Sequence, residues 1–133
     1  MVDTVDSIVI YSSPRRYVVR LTNISDGTGE SAVAKVDKST LTGPDGTEPG
    51  RLMVERIEYD CGGMQVRLFW DHDTDDELAV LSGAGFLDFT DGGKYAGLVD
   101  PNSAGGTGDI LLTTNAHTAG DAYQITLFLR LKD

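Results

Sequence analysis

Tyr123-Gln124-Ile125-Thr126-Leu127-Phe128-Leu129-Arg130-Leu131 decides the fold of this chain. Ile125, Leu127, Leu129 and Leu131 recur at every second position, with Gln124, Thr126 and Arg130 between them. A period of two over this length is what a strand with one buried and one solvated face requires, because successive side chains leave a β-backbone on opposite sides. Phe128 interrupts the pattern, since it stands on the face that should be polar.

Similar runs precede it at short intervals. Residues 7–12 carry Ile8, Val9, Ile10 and Tyr11 and stop before Pro14. In residues 15–24, Tyr17, Val19 and Leu21 alternate with Val18, Arg20 and Thr22, and Asp26-Gly27-Thr28-Gly29 makes a turn. Residues 32–37 fit a strand or a short helix, because Val33 and Val36 are also three apart; a strand is expected. Residues 41–50 hold two prolines and the turn pairs Gly43-Pro44, Asp45-Gly46 and Pro49-Gly50, which makes them a loop. Cys61-Gly62-Gly63 then separates strand-like residues 51–60 and 64–71 as a hairpin turn would. In the second run Met64, Val66, Leu68 and Trp70 face one way, Gln65 and Arg67 the other, and Phe69 breaks the rule as Phe128 does. Residues 77–81 and 85–90 read as another pair around Ser82-Gly83-Ala84, ended by Asp91-Gly92-Gly93. After a loop of glycine and small polar residues at 101–108, strands are expected at 109–114 and 122–132. The total is about eight or nine strands with no convincing amphipathic helix. Short strands broken by turn signals every ten residues or so predict an all-β antiparallel β-sandwich, jelly-roll-like.

Composition narrows the function classes. The 133 residues fit one domain, with residues 1–6 a candidate N-terminal arm. The sixteen glycines cluster between apolar runs, so they mark turns. A net charge of −10 argues against a nucleic-acid partner, since backbone phosphates demand a surplus of lysine and arginine, and it disfavours an anionic membrane for the same reason. Cys61 is alone, so no internal disulfide exists. Asp3 and Asp6 stand where a signal peptide would be basic and then apolar, and no apolar run approaches the ~20 residues of a membrane-spanning helix. Without a secretion signal the Asn23-Ile24-Ser25 sequon reads as coincidence.

The densest acidic segment runs from Asp71 to Glu77. Asp71, Asp73 and Asp75 have the spacing that opens a calcium loop, because alternate carboxylates can converge on one hard cation. The pattern then fails, with Asp76 at the required glycine and Ser82 at the bidentate glutamate, so a solvated acidic turn is the simpler reading. His72 and His117 share no recurring zinc spacing with Cys61 and read as surface histidines. No serine sits in a nucleophile elbow. Gly105-Gly106-Thr107-Gly108 lacks the Lys-Ser or Lys-Thr of a phosphate loop and leads into a strand. No catalytic residue and no cofactor motif emerges. Phe69 and Phe128 remain: aromatics on solvent faces are expected either in contact with a partner or under a loop such as 41–50 or 95–106.

Four segments carry a resemblance. Lys35-Val36-Asp37-Lys38-Ser39 with Leu41-Thr42-Gly43-Pro44, Val54-Glu55-Arg56-Ile57-Glu58-Tyr59-Asp60, Gly97-Leu98-Val99-Asp100-Pro101, and Gly105 through Asp109-Ile110-Leu111-Leu112-Thr113-Thr114 together resemble small structural proteins of tailed bacteriophages. The likeness covers about residues 15–133. It implies a capsid cement or decoration protein: a β-sandwich made in the host cytoplasm that sits on the outer surface of the virion. Such a protein is often a trimer and clamps neighbouring major capsid subunits. The family implies no catalytic residues. The expected function is therefore a non-enzymatic virion structural protein with Phe69 and Phe128 at its interface. The alternative is a lectin-like glycan-binding module of a tail fibre or baseplate, with Trp70 beside Asp71 and Asp73 as its contact.

Overall fold

Alternation becomes strand wherever the sequence predicts it, and twice it runs on through a predicted turn. The structure, a computed structural model, describes residues 4–24, 30, 33–43, 45–49, 51–71, 76–90, 97–99, 109–115 and 120–132. Its strands are β1 (Thr4–Ser12), β2 (Arg16–Ile24), β3 (Val33–Val36), β4 (Arg51–Trp70), β5 (Asp76–Asp88), β6 (Leu98–Val99), β7 (Ile110–Asn115) and β8 (Ala122–Lys132). A 3-10 turn at Lys38–Thr40 is capped by Asp37, whose Oδ1 accepts from the Ser39 N–H at 3.0 Å.

The two glycine signals at Cys61-Gly62-Gly63 and Ser82-Gly83-Ala84 are corners, not hairpins. β4 and β5 each pass straight through, and their one reversal falls between Trp70 and Asp76. At the corner the pairing steps from Cys61↔Gly83 to Gln65↔Ser82, so β4 spends three extra residues on the outside of the bend. Gly63 has φ +85°, a left-handed conformation that a side chain disfavours, and Gly83 has φ +73°. The extra residues also shift the side-chain phase. Ile57, Tyr59 and Cys61 point inward before the corner; Met64, Val66, Leu68 and Trp70 do so after it. A smaller bulge at Glu55 makes the same correction between Val54 and Ile57.

The corners fold one hydrogen-bonded sheet into two layers. The first layer runs β1-β2-β8-β4-β5, using residues 51–61 of β4 and 83–88 of β5. The second runs β3-β7-β4-β5, using residues 65–70 and 76–82. Apart from the added β1, this order is that of a jelly-roll sandwich, all antiparallel. Inward side chains of both layers share one core, including Leu21, Ile125, Leu127 and Leu129 from the first and Val66, Leu68, Trp70, Ile110 and Leu112 from the second. Each fully buried Leu or Ile contributes about 1.5–3 kcal/mol relative to leaving it in water. Of the segment expected as an arm, Thr4 to Asp6 is already strand, paired with Ile24 to Thr22.

Candidate binding surface

The outer face of the first layer is assembled by register. Tyr11, Val18, Phe128 and Arg56 lie side by side across β1, β2, β8 and β4. In the next row Ile8, Arg20, Thr126, Glu58 and Phe86 do the same, reaching β5. Arg16 and Arg130 face each other one row beyond Phe128. Four of the chain's eleven basic residues thus share this face with four carboxylates, those of Asp6, Glu58, Asp60 and Asp88. Phe128 sits in the middle, half-buried between Val18 and Arg56, where β-branched and long side chains flank its ring.

At the β5 end a shallow groove of about 310 Å³ is lined by Arg56, Glu58, Asp60, Phe86, Gln124 and Thr126, among others. Phe86 is 58% exposed, and the Arg56 guanidinium stacks over its ring at 4.3 Å from the centroid. Arg56 Nε also lies 3.2 Å from Glu58 Oε1, an electrostatic contact whose Nε is not aimed for a hydrogen bond. Arg20 Nε is likewise buried without a hydrogen-bond partner. At the other end Arg16 reaches Glu55 Oε1 at 2.5 Å.

Phe69 lies on the outer face of the second layer, half-buried, with the Arg67 guanidinium 5.0 Å from its ring centroid and Arg67 held by Glu77. The two aromatics singled out by the sequence therefore sit on different layers and do not form one patch. Phe86 was missed although it breaks its alternation as Phe128 does: Leu87 and Phe89 point inward, and Phe86 stands on the outer face with Asp88 and Thr90.

The other sequence candidates fall elsewhere. Trp70 is 2% exposed and part of the core, which removes it from the glycan contact expected of it. Asp71 is half-buried, with its N–H donating to the Asp109 carbonyl at 3.0 Å. Asp73, Asp75, His72, His117 and the glycine loop 105–108 lie outside the described residues. Among the described residues no three His, Cys, Asp or Glu side chains gather as a metal site. Cys61 is buried, and desolvation, aided by the neighbouring Asp60 charge, pushes its thiol up to about 11, so it is no nucleophile at neutral pH. A buried polar cluster joins Glu30, Lys35, Asn23 and Tyr123: the Glu30 carboxylate accepts from Tyr123 Oη at 2.7 Å and Asn23 Nδ2 at 2.6 Å, with Lys35 Nζ 2.5 Å away. Its members spend their bonds on one another across β2, β3 and β8, as a structural clasp does.

No family model matches the chain, and no curated protein does. Among solved structures it is similar to a cupin superfamily protein from Desulfitobacterium hafniense, at 14% identity over 100% of this chain and 82% of that one, with a TM-score of 0.40. A family 29 carbohydrate binding module is similar at 9% identity over 96% of this chain and 88% of that one, with a TM-score of 0.39. Likeness at that level says nothing of what this chain binds. The choice of site rests on its own surface.

Proposed function

We propose that this protein is a non-enzymatic structural protein of a tailed-phage virion, a capsid cement protein that lays the outer face of its first layer across neighbouring major capsid subunits. One observation carries the reading: Phe128 at the centre of a face that combines Tyr11 and Phe86 with Arg16, Arg20, Arg56 and Arg130. Aromatic residues and arginine are the types enriched where protein interfaces hold most of their binding energy, because they bury large area and form directional bonds at modest entropic cost. Five strands side by side make this face about 20 Å wide, a broad and shallow shape that suits a protein surface. Burying it across a subunit boundary adds area that must be uncovered before the shell can open. The phage assignment itself comes from the sequence resemblance, and the acid excess is compatible with an outer position away from packaged DNA.

The test is co-sedimentation with particles that lack the protein. Wild type is expected to bind and to raise the temperature at which the particles break. Phe86→Ser with Arg20→Ala is expected to lose at least about tenfold in affinity, or ~1.4 kcal/mol, while melting close to wild type. Binding unaffected by the double variant, or bare particles as robust as decorated ones, refutes the reading.

A glycan is the second reading, and the Phe86 groove favours it. An exposed ring accepts the C–H face of a sugar, while Arg56, Glu58 and Gln124 offer donors and acceptors for hydroxyls. A glycan array with a hit abolished by Phe86→Ala would establish it; an array without hits removes it.

A further inference from the structure

We propose that β1 pairs edge to edge and antiparallel with β1 of a second copy of this chain. β1 is the outermost strand of the first layer and hydrogen-bonds with β2 alone among the described strands. The second layer does not reach over it: every residue from Val5 to Ser12 is exposed, on both faces. Val5 (48%), Ile8 (41%), Val9 (49%), Ile10 (55%) and Tyr11 (55%) are all open to solvent, and Val5 and Val9 are so although they share the core-side face with Asn23 and Val19. Beneath Val9 a cleft of about 380 Å³ is lined by Pro14, Tyr17, Leu41 and Leu131.

A long apolar edge is a template for another strand, and proteins that must stay apart blunt it with lysine, proline or a bulge. Between Thr4 and Ser12 there is no lysine and no proline, and the bulge at Ile10 leaves the regular register Thr4 to Val9 intact.

Charge, symmetry and area point to a second copy as the occupant. Two chains of net charge −10 repel, and meeting along β1 adds little to that cost, since Asp6 is its one charged residue. A two-fold axis through Ser7 sets Val5 against Val9 of the other copy and Asp6 against Ile8, so β-branched side chains pair and the two carboxylates stay staggered. A nine-residue strand is about 30 Å long. With side chains on both faces engaged, on the order of 500 Å² per copy is covered, which reaches the ~1,000 Å² total of a specific contact at its lower end. A dimer in the micromolar range is expected, in place of the trimer that the resemblance implies. Pairing would join two first layers into one continuous face, with the two Tyr11–Val18–Phe128 rows on opposite sides of the axis.

The pairing is tested on pure protein, without particles, so it and the cement reading can fail separately. Sedimentation equilibrium from about 1 to 100 µM is expected to show a dimer of twice 14.3 kDa. Val5→Lys with Val9→Lys should weaken it by at least about tenfold while leaving the melting of the dilute protein unchanged, since both side chains are exposed in the monomer. Ser7→Cys should crosslink across the axis under mild oxidation, because directly paired strand residues lie within disulfide reach. The buried Cys61 stays out of that reaction, and Thr126→Cys, two strands further in, should not crosslink. A wild-type monomer, a trimer, a dimer indifferent to the lysine pair, or a Ser7→Cys dimer that stays unlinked overturns the proposal.

Discussion

β8 and β1 belong to the same layer and are both rich in apolar side chains, yet they have opposite fates. In β8, Ile125 and Leu127 are fully buried; in β1, Val5 and Val9 point to the same core side and are about half exposed. β8 lies between β2 and β4 with the second layer over it, whereas β1 hangs beyond that layer's edge. Apolar content alone therefore does not decide burial here. Place in the strand order does.

Truncation separates the two strands most visibly. Leu127→Ala should cost about 2–5 kcal/mol, as filled core sites do, while Val9→Ala should stay within ~0.5 kcal/mol in the dilute protein. Chemical denaturation measures both, and similar costs would show that β1 is packed after all. A smaller effect tests the corners in β4 and β5. At Gly63 an added Cβ would combine a left-handed φ with contact against the Asp121 carboxylate, whereas at Gly83 nothing lies within 4 Å. Gly63→Ala is expected to cost about 1–2 kcal/mol, and Gly83→Ala less; the reverse order would mean that β5 controls the bend.

The smallest effect is a pH slope at the corner itself. Burial raises the Cys61 thiol from its ordinary value of 9.0 to about 11. The folded state thus keeps a proton that the unfolded chain releases first, so this contribution is complete below pH 9 and is lost as pH rises toward about 11. Thermal melts across that window should fall for wild type, and Cys61→Ala should remove part of the slope.

Much of the fold was legible because period-two patterning survives wherever a strand has one wet face. β2 and β8 fall where their alternation puts them, and Trp70 shared its inward phase with Met64, Val66 and Leu68 from the start. Placing Trp70 in a glycan site overrode that signal. The continuity of β4 and β5 was not legible, because a glycine pair that turns a corner and one that reverses the chain look alike. A finer signal did exist: the inward residues step by three from Cys61 to Met64, which a bulge requires. The binding face was half legible. Phe128 broke its alternation, but Phe86, Arg56 and Arg20 became neighbours only through pairing between strands far apart in sequence.

That distance has a consequence for how the molecule forms. β4 and β5 meet through short-range contacts and carry parts of both layers, while β2 finds β8 across more than a hundred residues. Closing so long a loop is slow, so the β4–β5 hairpin is expected to fold first and the β1–β2–β8 side last. Pulse-labelled hydrogen exchange showing β8 protected before β5 would reverse that order. The part of the chain that completes itself last would then be the part that adds Tyr11, Val18 and Phe128 to the contact face, so an unfinished molecule presents only the Arg56 and Phe86 end of it.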